Sequence, residues 1–326
     1  MRGGAVDVSA SMPAVVIASA FGGPEVLSIA DEPTPEPGPG EARIAVRAVG
    51  VNPVDCKVYS GVFGADSARL PIRPGYEAAG VVTSVGPAAV GPAGPVAVGD
   101  EVVAFRVPGA YAAELVTPAQ ALVPKPAELD WAQAAALMLT GVTAWHALTV
   151  TGVHKGDTVL IHGAAGGVGV MAVQLASAGG AKVVATASPP RHEFLRSLGA
   201  SPVGYGPGLA DRVRTAAPQG LGAALDLVGT DEAIDVSLDL VADRARIATI
   251  VAVARGRQAG IKVLGGAPGA DPGTQTRDAA RLELVKLAQN GTLRIFVTRT
   301  FPLGDAAEAH RAIMTGHTTG KMVLIP

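Results

Sequence analysis

The stretch VLIHGAAGGVGVMAVQLA, Val159–Ala176, decides the reading of the chain. Four glycines, Gly163, Gly166, Gly167 and Gly169, fall between a β-branched run and an apolar helical run. In a strand, glycine loop and helix unit, glycine permits a tight turn and leaves no Cβ in the way of a pyrophosphate. The unpaired N–H groups and positive dipole end of the helix then hold that anion. The expected ligand is a dinucleotide. The usual G-x-G-x-x-G spacing is present as Ala164, Gly166 and Gly169, with alanine in the first position. The bland alternative is a glycine-rich helix start packed closely on a strand, and the strand–helix–strand order around the motif favours the nucleotide.

About 20 residues past such a loop, NAD-binding chains place a carboxylate on the ribose 2′-hydroxyl. Here the next strand, KVVATAS, runs into SPPRH with no Asp or Glu. Ser188 is expected to cap the following helix, with Pro189 at its first position and Arg191 in the first turn. A cation at that point suits a 2′-phosphate, which Arg can bind bidentately, so NADPH is expected rather than NADH. The alternative for Arg191 is a solvated helix residue.

Strands and helices alternate from residue 127 to 290, which predicts a doubly wound parallel sheet with helices on both faces. Its strands are continuous apolar runs, as a sheet covered on both sides requires. Within 14–126 the pattern is instead short β-like runs separated by Gly/Pro punctuation. The GD pair in VGPAAVGPAGPVAVGDEV reads there as a hairpin turn in a surface loop. Asp130 is expected to cap a helix through WAQAAALML, with a second helical run from GVTAWHAL. The tail LRIFVTRTFPL, DAAEAHRAIMTG and KMVLIP is expected to return to the first unit. The expected division is 1–126 with 291–326 as a β domain, and 127–290 as the nucleotide-binding domain. Residues 1–11 read as a tail or an upstream start, with no secretory pattern.

With 26 basic against 28 acidic side chains, the formal charge of −2 leaves no footprint for nucleic acid or an anionic membrane. No apolar run reaches the roughly 18 to 20 residues that span a bilayer. One cysteine, Cys56, permits no internal disulfide and fits a reducing compartment, so cytoplasm is the expected location. Six scattered histidines do not make a metal cluster. His162, His310 and His317 read as structural. Neither G-x-S-x-G nor a P-loop G-K-[ST] is present. Hydride transfer is left as the leading chemistry, because a nicotinamide brings its own reactive carbon.

Together, GVNPVDCKVYSG (50–61), PGYEAAGVV (74–82), VGDEVVAF (98–105), GVTAWHAL (141–148), GAAGGVG (163–169), SLGA (197–200) and TGHTTGKMVLIP (315–326) resemble the zinc-free quinone oxidoreductases of the medium-chain dehydrogenase/reductase superfamily. The resemblance spans nearly the whole chain. It implies an α/β protein: a GroES-like β domain built from both chain ends, a central Rossmann domain, a cleft between them, and a homodimer through the Rossmann sheet edge. Zinc-dependent relatives hold their catalytic metal with a cysteine where this chain has Asn52 and a histidine where it has Tyr76, so no metal is expected. Cys56 lies four residues past the ligand position and reads as a packed thiol.

The resemblance also assigns residues. Asn52 matches an asparagine facing the nicotinamide end of the cleft, although Asn-Pro is also ordinary turn chemistry. Thr143, Ala165, Gly166, Gly167 and Val168 match phosphate and nicotinamide contacts, and Ser188 and Arg191 the 2′-phosphate site. Tyr205 matches a tyrosine near the adenosine phosphate, with Gly204 where an aspartate commonly precedes it. Val228 and Val251 end the fourth and fifth strands, where ligands gather. Lys321 matches a polar residue that closes on the cofactor. Lys57 and Tyr59 stand where the family often shows lysine and arginine. Either is a candidate proton donor in the cleft, against a surface lysine and a rim tyrosine.

The expected activity is NADPH-dependent hydride transfer to a quinone or α,β-unsaturated carbonyl, with hydrogen-bond donors such as Asn52 and Lys57 stabilising the developing anion. HGAAGGVGVMAVQLA followed by VVATASPP also resembles the enoyl reductase domains of polyketide synthases, so an enoyl-thioester reductase is the second reading. The third is a non-catalytic NADPH-binding structural or sensor protein.

Overall fold

The structure is a computed structural model that describes residues 12–316 and 318–326. The expectations for residues 1–11 and for His317 lie outside it. In the first part of the chain, β1 (Ala14–Ala18) and β2 (Leu27–Asp31) pair antiparallel. There follow β3 (Glu41–Val51), α1 (Pro53–Tyr59), β4 (Glu77–Val85), β5 (Val90–Gly91), β6 (Gly94–Pro95), β7 (Glu101–Phe105), β8 (Glu114–Pro118) and β9 (Leu122–Pro124). Two helices lead out of this half: α2 (Trp131–Ala135) and α3 (Met138–Val150). Asp130 caps α2 as expected, accepting the Gln133 N–H at 2.7 Å while Gln133 reaches back to the Asp130 N–H. The second helix starts earlier than GVTAWHAL suggests, because Met138 and Leu139 are good helix formers and no Gly or Pro interrupts the first turn before Gly141.

The alternating half follows: β10 (Thr158–His162), α4 (Gly167–Ala178), β11 (Lys182–Thr186), α5 (His192–Arg196), β12 (Ala200–Val203), α6 (Leu209–Ala216), β13 (Ala223–Asp226), α7 (Asp231–Leu240), β14 (Ile247–Thr249), α8 (Val253–Ala259), β15 (Lys262–Val263) and α9 (Thr274–Gln289). Its six strands are all parallel and lie in the order β12-β11-β10-β13-β14-β15. The expected doubly wound sheet is thus present, and its strand order reverses between β10 and β13. Four of the five residues of β10 and four of β11 are buried. In α4 the aliphatic run Val170–Val173 is buried, each valine-sized side chain contributing about 1.5–3 kcal/mol.

The chain then re-enters the first half through β16 (Val297–Pro302), α10 (Ala306–Met314) and β17 (Lys321–Ile325). These strands complete a seven-stranded sheet in the order β16-β17-β3-β4-β7-β9, with β8 also on β3. Met322–Leu324 pair with Val49–Val51, so the last strand sits inside the sheet between β16 and β3. The small ribbon turns between Gly91 and Gly94 rather than at the GD pair. Gly94, at φ +124°, takes the conformation that the turn needs, and Asp100 instead closes a turn by accepting the Ala97 N–H at 2.8 Å.

Candidate cofactor and active site

The glycine loop lies at the carboxyl end of β10, beside the point where strand order reverses. Its glycines answer to different constraints. A Cβ on Gly169 would come within 2.4 Å of the Gly163 carbonyl oxygen and 2.6 Å of Ala164 Cα, so this glycine allows helix and strand to touch. A Cβ on Gly167 would meet Thr140 Cγ2 at 3.1 Å, Gly320 O at 3.3 Å and Lys321 Cδ at 3.3 Å, so this one admits the returning last strand. Around Gly166 only Gly163 O, at 3.4 Å, lies within reach.

The Val170 N–H bonds to Gly166 O at 2.9 Å, whereas the N–H groups of Gly167, Val168 and Gly169 have no acceptor among the described residues. Three donors at the positive end of a 12-residue helix, beside the uncrowded Gly166, fit a pyrophosphate. Thr186 fixes the loop from the next strand: its carbonyl accepts from Ala164 N–H at 3.2 Å and its hydroxyl from Gly163 N–H at 3.4 Å.

Other expected contact residues collect along the same edge. Ser188 and Arg191 follow β11, Tyr205 follows β12, Val228 follows β13 and Val251 follows β14. Tyr205, Val228 and Val251 are 60%, 46% and 40% exposed, an apolar group left in solvent along the crevice mouth. Arg191 is exposed and makes no ion pair among the described residues. Ser188 makes no side-chain capping bond, contrary to expectation. The turn Pro189–Arg191 closes through backbone alone, by Arg191 N–H to Ser188 O at 2.9 Å, leaving the hydroxyl free. Thr143 is buried and donates to Leu139 O at 2.6 Å, so its hydrogen is committed within α3.

Several residues that shape this edge carry no local sequence signal. Asp226, fully buried at the end of β13, accepts from Val228 and Gly229 N–H at 3.1 and 2.7 Å and from the Thr249 hydroxyl at 2.6 Å. Thr249 in turn accepts from Val251 and Ala252 N–H, so one carboxylate organises two loops. Arg212 donates to the carbonyls of Gly204, Gly206 and Pro207, fixing the loop that presents Tyr205. His162, 1% exposed, bonds Thr186 Oγ1 at 3.2 Å through Nδ1, and its Nε2 has no partner. Burial pushes its pKa down to about 4, so the ring is neutral.

The expected catalytic residues divide. Asn52 caps α1 and is 1% exposed. Its amide donates to Glu77 Oε1 at 2.9 Å and Gly50 O at 3.3 Å, and its oxygen accepts from Lys321 Nζ at 2.6 Å. Lysine only donates and glutamate only accepts, so the amide orientation is fixed. Both amide hydrogens are taken, which corrects the expectation that Asn52 donates to an acceptor. Lys321 is corrected likewise: its ammonium donates to Val51 O, Asn52 Oδ1 and Glu77 Oε1 at 3.0, 2.6 and 2.8 Å, leaving no hydrogen for a cofactor. Glu77 Oε2 accepts Leu139 N–H at 2.7 Å at the start of α3, tying the two halves together.

Tyr59 does not open to the cleft as a proton donor. It is 1% exposed, stacks on His310 and bonds His310 Nδ1 at 2.6 Å, and burial raises its pKa. Tyr111 donates to Asp55 Oδ2 at 3.0 Å and meets His310 Nε2 at 2.8 Å. With Asp55 ionised, the hydrogens run Tyr59 O–H to Nδ1, Nε2–H to Tyr111 and Tyr111 O–H to Asp55. Burial lowers His310 to about 4 and raises Asp55 to about 7, the latter opposed by the Asn52 N–H bond. Cys56 is a buried thiol, pushed up to about 12 by burial. Of the three, only Lys57 is exposed, without an ion pair among the described residues. It lines a cavity of about 230 Å³ with Pro53, Cys56, Ser60, Ile313 and Met314.

Taken together, a doubly wound parallel sheet with a glycine loop at its switch point and a β half completed by the returning last strands define an oxidoreductase of the medium-chain type. Residues 38–127 match the model for the alcohol dehydrogenase GroES-like domain, and residues 198–324 match that for zinc-binding dehydrogenases. A quinone oxidoreductase of Pseudomonas aeruginosa is 35% identical, over 94% of this chain and 98% of that protein. A spectinabilin polyketide synthase protein of Streptomyces orinoci is 35% identical over 93% of this chain, which spans 14% of that protein. A mycobacterial protein solved in complex with NADPH superposes with a TM-score of 0.83 at 30% identity, covering 96% of this chain and 100% of that one. The chain belongs to the quinone oxidoreductase family of the medium-chain dehydrogenase/reductase superfamily.

The zinc named in one matching model finds no donor set among the described residues. Among the described residues no three His, Cys, Asp or Glu side chains are grouped to hold a metal, and the implied ligand positions carry Asn52 and Tyr76. Among those residues no helix is long and apolar enough to cross a membrane.

Proposed function

We propose that this chain is an NADPH-dependent oxidoreductase that reduces a quinone or an α,β-unsaturated carbonyl without zinc, acting as a homodimer in the cytoplasm. The observation that carries the reading is the carboxyl edge of the parallel sheet. Three free helix N–H groups, a free arginine and three exposed side chains, Tyr205, Val228 and Val251, follow the strand ends along that edge. The likeness to a quinone oxidoreductase and to a protein solved with NADPH supports it.

The bound nicotinamide supplies the hydride, and every other task falls to the chain. Gly167, Val168 and Gly169 N–H hold the pyrophosphate, and Ser188 and Arg191 take the 2′-phosphate. Tyr205, Val228 and Val251 cover the cofactor's apolar faces. Ala165 and Gly166 give it room. Asn52, Glu77 and Lys321 form a rigid wall beside the loop. As hydride adds to the acceptor, negative charge develops on its oxygen, and one proton from solvent or from the Lys57 ammonium balances it. The domain division remains 1–126 with 291–326 and 127–290.

Oxidation of NADPH, followed by loss of nicotinamide absorbance against quinones, enones and enoyl thioesters with NADH in parallel, tests this. Turnover of quinones or enones with NADPH preferred is the expected outcome. The polyketide synthase likeness supports a second reading, reduction of enoyl thioesters, and thioester turnover alone would select it. Binding of NADPH with no turnover of any acceptor would select a structural or sensor role.

A further inference from the structure

Three arginines meet two carboxylates where α9 adjoins the β half. Arg106 follows β7, and its guanidinium reaches across to α9, donating to Asp278 Oδ2 at 3.3 Å and to Thr274 O at 3.4 Å. Its backbone holds φ +61°, a left-handed conformation that a non-glycine residue keeps only where its surroundings impose it. Arg281, 8% exposed, gives Nη1 to Gln120 O at 2.7 Å and shares Asp278 at 3.6 Å. Asp271 is engaged elsewhere, accepting Gly273 N–H at 2.8 Å and meeting His146 Nε2 at 3.1 Å. Half-buried Arg277 is left with one long bond, Nε–H to His146 Nδ1 at 3.3 Å, and its terminal nitrogens have no acceptor among the described residues. Burial, and then the like charge of Arg106, lowers the Arg277 pKa. Neighbouring guanidinium groups with unused donors repel each other until an anion joins them, and their planar forks match the oxygens of a carboxylate or phosphate.

Position decides which anion this is. Arg191 follows β11, and β15, which leads into α9, lies four strands away across the sheet, about 19 Å at about 4.8 Å per strand. A 2′-phosphate held by Arg191 is therefore out of reach. On the near side, Val107 N–H bonds Tyr76 O at 3.2 Å, and His146 stands one turn beyond Thr143 on α3, about 4.5 Å along the axis. The arginines thus border a residue expected to touch the cofactor, at the edge of the sheet away from Arg191.

We propose that Arg106 and Arg277 form an anion subsite for the acceptor: the molecule that takes the hydride carries a carboxylate or phosphate away from its reacting carbon, and these two guanidinium groups bind it. This deepens the acceptor-reduction reading above and rests on it. Asp278 positions Arg106, and His146 positions Arg277.

An enone bearing a terminal carboxylate is compared with its methyl ester, and crotonyl phosphopantetheine with crotonyl pantetheine. Each pair keeps the reacting carbon and removes the charge. In at least one pair the wild-type kcat/KM should favour the anion by about tenfold or more, the lower range for a hydrogen bond to a charged group. Preference for the acid assigns the subsite to the acceptor's own carboxylate, and preference for the phosphate assigns it to a carrier arm. In Arg277→Gln and in Arg106→Gln the ratio should fall about tenfold. Equal use within both pairs, or an unchanged ratio in both variants, would overturn the proposal. Arginines that merely tied the two halves together would lower both members of a pair alike and leave the ratio where it was. Calorimetry on the NADP+-bound protein with the saturated analogues of all four probes reads the site without turnover, and Arg277→Gln should abolish the advantage of the anion. Anion-selective binding with no turnover of any acceptor would sink the acceptor-reduction reading alone, whereas turnover blind to charge would sink the subsite alone.

Discussion

Adding one methyl group to either of two nearby glycines should give two different proteins. Gly169→Ala forces a Cβ to 2.4 Å from Gly163 O and 2.7 Å from Ala164 C, both backbone atoms that cannot swing aside. Helix and strand must separate, an overpacking cost of about 1–3 kcal/mol. At Gly166, with φ −73°, an alanine is conformationally permitted and meets only Gly163 O at 3.4 Å. Loss of unfolded-state freedom contributes about 0.4–1 kcal/mol in its favour, roughly matched by alanine's poorer capping. Its stability should therefore stay within about 0.5 kcal/mol of wild type. The methyl nevertheless enters the space beside the free N–H groups, so NADPH should bind at least about tenfold more weakly, a loss near 1.4 kcal/mol. Urea denaturation and calorimetric NADPH titration on both variants read the two effects separately. Equal destabilisation of the pair, or unchanged NADPH affinity in Gly166→Ala, would refute the division of labour.

Arg191→Ala removes the free cation beyond β11; it should cost about 1.5–3 kcal/mol of NADPH binding and leave NADH unaffected, as paired titrations would show. Tyr59→Phe deletes the donor to His310 Nδ1, so stability should fall by about 1–3 kcal/mol while kcat holds; a collapse of kcat without loss of stability would restore Tyr59 to the cleft. His162 and His310, held neutral with pKa lowered to about 4, contribute stability that is present above about pH 6.5 and lost as pH falls through about 4. Asp55, raised to about 7, works in the opposite sense, its contribution growing as pH falls below that value. Asp55→Asn should therefore lose stability on acidification more steeply than wild type, measurable as urea midpoints between about pH 7 and about pH 4.5.

The parallel sheet was legible because its strands are buried on both faces and read as unbroken aliphatic runs, as in Val159–His162. The crevice residues were legible for a related reason: each follows a strand end, and strand ends survive in sequence as a change from aliphatic to Gly, Ser or Pro. What failed was orientation. Asn52 and Lys321 were recognisable as polar residues near the loop, but 269 positions separate the pair, and nothing local says that one saturates the other. Tyr59 met a histidine 251 residues away on α10. Asp226 and Arg212 look like ordinary polar residues at element boundaries, and only the folded loops give their hydrogen bonds meaning.

The last strand brings a kinetic consequence. Lys321–Ile325 lie between β16 and β3, and Gly320 N–H bonds Ala165 O at 3.0 Å across to the glycine loop. During synthesis the inner edge of β3 at Val49–Val51 stays without its partner until Met322–Leu324, more than 270 residues further on (322 − 51 = 271), have been made. Such long-range closure is slow and exposes an unpaired edge meanwhile. Completion of one half of the molecule thus waits on the other, and a nascent chain should need shielding at that edge.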